Sequence, residues 1–229
     1  MEGAQDFMAQ SGHGTQGPLT PKSRRSLPPE LVHAFELERL YWSLYIKGLD
    51  YSTVAPVPRA RRLGIRFLQP LANPTIGINA ALREIERLRP KPALIPANYA
   101  VRRRAAALER WFCNEIAPCV MWFLLQPVLG KGEHHSITRG MDLVVGLTNR
   151  HGYLLGDQLS SADITAAAVL APIARHEGWV WAGRSWIPNQ LFGCSPLANH
   201  AGSNWVRGMY ERHGLARVSV RAPDRPWLP

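Results

Sequence analysis

A mainly helical protein in two packing units is what this sequence predicts, and three observations carry the prediction. Apolar residues recur at three- and four-residue spacing through most of the chain after residue 98. Segment 162–174 is apolar on nearly every side, the mark of a helix buried all round. Segment 91–98, with Pro92 and Pro96, interrupts the helical pattern and reads as a linker. At 229 residues and 46% hydrophobic, the chain can bury a sizeable core. No run approaches the roughly 20 apolar residues of a membrane span, and no secretory apolar core opens the chain. A soluble cytoplasmic protein without membrane association is the expectation. Cys113, Cys119 and Cys194 are too few for a disulfide framework and lack zinc-ligand spacing, so no metal site is expected.

The elements follow in order. Residues 1–29 are rich in Gly, Gln, Ser and Pro and read as a mobile extension. The chain turns apolar and aromatic from Leu31 to about Lys47, and Glu38 to Lys47 fits a helix closed by Gly48. Residues 50–54 read as a short strand and 59–67 as a short basic helix. A helix over 77–89 offers Ala80, Leu82, Ile85 and Leu88 for packing and stops at Pro90. Beyond the linker, a helix from Tyr99 to about Gln126 carries Leu108, Trp111, Phe112, Glu115, Cys119 and Trp122 on one stripe, with a kink at Pro118. A helix over 136–151 presents Ile137, Met141, Val144, Val145 and Thr148. Helices over 162–174 and 204–213 follow, and 216–229 is a tail.

Charge is uneven. Lys and Arg outnumber Asp and Glu 27 to 17, and residues 59–110 hold twelve of the cations against Glu84, Glu86 and Glu109. Such an excess raises the question of a polyanionic partner. No helix-turn-helix, zinc or RNA-binding signature accompanies it, so nucleic acid is not the expected partner. The arginines of Arg102-Arg103-Arg104 cannot all face a core, because an unpaired buried guanidinium is too costly; at least two should be exposed or paired.

The richest motif is Tyr153-Leu154-Leu155-Gly156-Asp157-Gln158-Leu159-Ser160-Ser161-Ala162-Asp163-Ile164. With Ser160 as N-cap, its hydroxyl can accept from the Asp163 amide while the Asp163 carboxylate reaches back to the Ser160 amide. Leu159 and Ile164 then form a hydrophobic staple. Taken alone, this is a well-capped helix. The full string, Gly-x-x-x-Ser-x-Ala-Asp-Ile running into small residues, closely resembles the capping box in the all-α C-terminal domain of the glutathione transferase superfamily, where it directs folding and takes no part in catalysis. Leu108 to Pro118 resembles the first helix of that domain in bacterial members, Pro92 to Pro96 the interdomain linker, and Trp205 to His213 the terminal helix. The resemblance implies a glutathione-transferase-like fold: a reduced thioredoxin-like α/β unit over 30–95 and an all-α unit over 96–215.

The family's first unit holds a strand, a loop with a catalytic Ser, Cys or Tyr, and a helix. Glu38 to Tyr51 resembles that helix and its Lys-Gly-Leu-x-Tyr exit, but Val32-His33-Ala34-Phe35-Glu36-Leu37 precedes it with no such hydroxyl or thiol. His33 is the one candidate for stabilising a thiolate. Pro74 is the candidate for the family's cis-proline, and Ile78-Asn79 stands where an acidic-Ser pair would hold glutathione, which leaves Asn79 as a candidate thiol-binding residue. The implied thiol is glutathione or a similar small molecule. The implied activity is its transfer to an electrophile, weakened or lost because the catalytic loop and the cis-Pro hairpin look deleted. A homodimer and a small electrophilic or hydrophobic ligand are the partners this implies; Trp111 and Trp122 are candidates to seat that ligand, against the commoner reading that such rings pack in a core. A non-catalytic binding or scaffold protein of the same fold is the alternative, ahead of a basic nucleic-acid binder.

Overall fold

The computed structural model describes residues 34–49, 74–125, 131–174 and 196–213. All regular structure among them is helical. We number the helices α1 (Ala34–Ile46), α2 (Pro74–Leu88), α3 (Tyr99–Trp111), α4 (Ala117–Leu125), α5 (Lys131–Leu147), α6 (Ser161–Ala174) and α7 (Ala201–His213). A π turn, Phe112–Ile116, joins α3 to α4, and a 3-10 turn, Pro196–Asn199, precedes α7. The expected strand at 50–54 and basic helix at 59–67 lie outside the described residues, as do residues 1–29 and 216–229.

Helix α6 is the axis of the molecule. It packs against α7, α1, α3, α4 and the π turn, and every residue from Ala162 to Ala174 is buried. Alanine supplies six of those thirteen positions, and such small side chains let neighbouring helices approach on all sides. Arg207 of α7 closes the C-terminal end, donating from one guanidinium nitrogen to the Ala174 carbonyl at 2.8 Å and the Ala198 carbonyl at 3.1 Å. At the crossing of α5 and α7, Gly202 is required: a Cβ there would sit 2.8 Å from Met141 Cβ and 3.0 Å from its backbone.

Helix α1 ends as its sequence predicts. The Leu49 amide donates to the Leu44 carbonyl at 3.0 Å and the Gly48 amide to the Tyr45 carbonyl at 2.9 Å, with Gly48 at φ +57°. This is the paired closure that favours glycine just past a helix end. Phe35 and Trp42 join the main core, while Leu40 and Leu44 meet Ala81 and Ile85 of α2 in a smaller one.

Several expected faces are corrected. The expected single helix from Tyr99 onward does kink, but through the π turn, which begins six residues before Pro118. A π turn takes in an extra residue and advances the buried face. The core line therefore runs Leu108, Phe112, Ile116, Val120 rather than through Glu115 and Cys119; Glu115 is exposed, and Cys119 and Trp122 are half-buried. On α2, Leu88 is 52% exposed because the four-residue stripe Ala81–Ile85 already meets α1. On α5, Ile137, Met141 and Val144 are buried, but Val145 is 43% exposed, one residue off that stripe. Helix α5 begins at Lys131 and ends at Leu147, and Thr148 lies past its end, its hydroxyl donating to the Val144 carbonyl at 2.7 Å. Helix α7 begins at Ala201 rather than 204, where the His200 ring accepts from the Gly202 amide at 3.1 Å.

Candidate functional site

The strongest concentration of buried polar chemistry lies where α1 crosses the other helices. Arg39, Ser43 and Lys47 stand four residues apart and so share one face of α1. Each is nearly sealed, at 3%, 2% and 1% exposure, and Glu38 beside them is at 0%. A buried charge must be paired or it is too costly to fold around. Arg39 meets Glu109 of α3 at 2.9 Å. The other oxygen of Glu109 accepts from the Ser161 hydroxyl at 2.5 Å, at the first residue of α6. Glu38 accepts from the Tyr210 hydroxyl of α7 at 2.9 Å. Burial, then the Glu38 charge, pushes the Tyr210 phenol well above its usual range, so it remains a donor.

Lys47 performs the same role at the other end of α1. Its ammonium reaches Glu86 of α2 at 2.6 Å and the carbonyls of Arg89 and Pro92 at 2.7 and 2.6 Å. Glu86 also accepts from the Leu94 amide at 3.2 Å, and the Leu94 carbonyl accepts from the Ser161 amide at 2.8 Å. The linker is thereby tied on one side to α1 and α2 and on the other to the start of α6. Its Lys91–Pro92 peptide is cis.

Cys113 lies against this seam, with an Arg39 guanidinium nitrogen 3.5 Å from its sulfur. Burial pushes the thiol upward; Arg39 opposes that, and the Glu109 and Glu36 charges add to it. A raised thiol stays protonated at neutral pH and is a poor nucleophile. The adjacent guanidinium, already matched by Glu109, does not reverse this. Two buried donors, Arg39 Nε and the Trp42 indole nitrogen, have no hydrogen-bond partner among the described residues.

At the start of α6, the Asp163 carboxylate accepts from the Ser160 amide at 2.8 Å, from the Ser160 hydroxyl at 2.6 Å and, through its other oxygen, from the Leu154 amide at 2.7 Å. The Ser160 hydroxyl thus donates to the carboxylate instead of accepting from the Asp163 amide as expected, and the Leu154 bond, which has no counterpart in a simple capping box, fastens the preceding loop to the helix. Burial nevertheless pushes the Asp163 carboxyl above its ordinary range, with these donors opposing the shift. Leu159 and Ile164 are both buried in the main core.

Of the thiol-site candidates, Pro74 and Asn79 both lie on α2. His33 lies outside the described residues. Pro74 is the first residue of α2, a position where a missing N–H costs a helix nothing. Asn79 is exposed on the same helix. No paired strands form a backbone cradle among the described residues. Trp111 is half-buried, packed against the core with its ring 5.1 Å from that of Phe112, and Trp122 is half-buried. Among the described residues no cluster of three or more His, Cys, Asp or Glu could hold a metal ion, and no helix is long and apolar enough to cross a membrane. Sequence reasoning missed the pairs Glu38–Tyr210 and Arg39–Glu109; the second had one signal, the four-residue recurrence of Arg39, Ser43 and Lys47.

Comparison of the chain with protein-family models, with curated proteins and with solved structures gave no match.

Proposed function

We propose that the chain is a glutathione-transferase-like protein in which thiol transfer is weak or lost and binding is the surviving role. In this reading a reduced thioredoxin-like unit, about 30–95, sits on an all-α unit, about 96–215. The observation that carries it is the pairing at the α1 seam. Thiol activation needs a positive charge left unbalanced beside the thiol; the Arg39 charge is matched by Glu109 at 2.9 Å, and the Cys113 thiol beside it is pushed up rather than down. The quoted glutathione-transferase motif and the burial of α6 behind its Asp163 cap support the fold assignment. A homodimer and a small electrophilic or hydrophobic ligand fit this reading.

Calorimetric titration of the full chain with glutathione, alongside retention on immobilised glutathione, tests it. Weak, millimolar-range binding or none, with no product from an electrophilic aryl halide, is the expected result. Tight binding accompanied by turnover would return the catalytic reading to first place.

A further inference from the structure

The outward face of α3 carries Tyr99, Arg102, Arg103, Ala106 and Arg110, all exposed, with Arg104 exposed beside them. Positions 99, 103, 106 and 110 step by four, three and four, so they form one stripe about 16 Å long at the helical rise. The acid of this helix, Glu109, faces the opposite way, held by Arg39 and Ser161. The stripe is therefore positive along its whole length, with no carboxylate of its own helix to neutralise it. At its head, Tyr99 is 65% exposed, an unusual setting for an aromatic ring. The guanidinium groups of Arg102 and Arg103 lie 5.7 and 5.9 Å from the centre of that ring.

We propose that this face of α3 docks single-stranded nucleic acid, a role independent of any thiol site. The phosphates run along Arg103 and Arg110 with Arg102 and Arg104 flanking them, and a base stacks on Tyr99. Interleaved cations and an exposed aromatic are the elements by which single strands are held without reading sequence. Ala106, midway, leaves room for the backbone to lie close. A lipid surface fits the face less well, because it needs apolar side chains to enter the headgroup boundary, and this stripe offers only Tyr99 and Ala106. A duplex fits less well because the exposed Tyr99 ring can stack only on a base that is unpaired and splayed from its neighbours.

Fluorescence anisotropy of the full chain titrated into labelled oligodeoxythymidylate tests the proposal, with matched duplex and anionic phosphatidylserine vesicles as parallel arms. The expected result is salt-dependent binding, strongest to the single strand. R103E with R110E should weaken it tenfold or more and lower the steepness of the salt dependence by about 1.4, the share of two phosphate contacts. Tyr99→Ala should weaken it while Tyr99→Phe, which keeps the stacking face, should not. R83E with R87E makes the same charge change on α2 and should cost less than threefold. All these side chains are exposed, so thermal midpoints should stay near wild type. Absence of binding at low salt, equal loss in the α2 variant, or preference for duplex or vesicles would overturn the proposal.

Discussion

Helices α1 and α6 are both buried on several sides, yet different interactions hold them. Helix α6 is held by apolar packing, with one sealed acid, Asp163, at its entrance. Helix α1 and the residue just past it carry four buried polar or charged residues, Glu38, Arg39, Ser43 and Lys47. The contrast teaches what each kind of contact does. Apolar burial is strong and non-directional, at roughly 25 cal/mol for each Å² removed from water. Buried ion pairs recover little net energy after desolvation, and a lost partner is penalised heavily. So α6 supplies cohesion, and the pairs on α1 fix where α1 sits relative to α3, α2 and α7.

The largest expected effect breaks the entrance to α6. Asp163→Ala leaves the Ser160 and Leu154 amides without their acceptor in a buried site, at about 3–5 kcal/mol for two stranded donors. Denaturant unfolding checks this, and a loss under about 1 kcal/mol would show the carboxylate to be dispensable. The pH dependence sharpens the point. Because the folded carboxyl titrates above its ordinary value of 3.8, the folded state binds the proton more tightly than the unfolded one. Its contribution to stability is then present below 3.8 and declines as pH rises through the raised folded value. The wild-type minus Asp163→Asn stability difference should carry that decline, and a difference that instead rises with pH over the same window would contradict it.

The next effect tests the pairing on α1. Arg39→Met strands Glu109 next to Cys113 and should cost about 3 kcal/mol, the lower end for a broken buried pair, because the Glu109 side chain is 19% exposed and keeps its bond from Ser161. Adding Glu109→Met should restore stability to within about 1 kcal/mol of wild type. A double variant as unstable as the single one would mean that the pair supplies cohesion as well as position. Gly202→Ala, with its Cβ driven against the Met141 backbone, should lower stability by about 1–3 kcal/mol in the same assay. The smallest effect lies at the surface: the Asn98 side chain accepts from the Ala100 and Val101 amides at the exposed start of α3, so Asn98→Ala should cost about 1 kcal/mol.

The same contrast sets what the sequence disclosed. Helix α6 was legible because its signals are local: a serine cap, an acid three residues on, and apolar residues all round. The closure of α1 at Gly48 was legible for the same reason. The α1 seam was hidden because Glu38 and Tyr210 are 172 residues apart and Arg39 and Glu109 are 70 apart, and no local period encodes such meetings. The face of α3 and α4 was misplaced by one residue because helical spacing assumes 3.6 residues per turn and the π turn does not keep it. The cost of burying them led to the expectation that at least two of Arg102, Arg103 and Arg104 are exposed or paired, and all three are exposed. The start of α7 was missed because Gly202, a poor helix former, is there for its close approach to Met141.

The central claim of the proposed function is that this chain does not activate a thiol. The initial rate of glutathione conjugation to an electrophilic aryl halide, measured for wild type, Cys113→Ala and His33→Ala side by side, tests it most directly. The account predicts a wild-type rate at or little above the uncatalysed background, unchanged in both variants. A wild-type rate well above background that disappears in His33→Ala or in Cys113→Ala would contradict it and identify the residue that holds the thiolate.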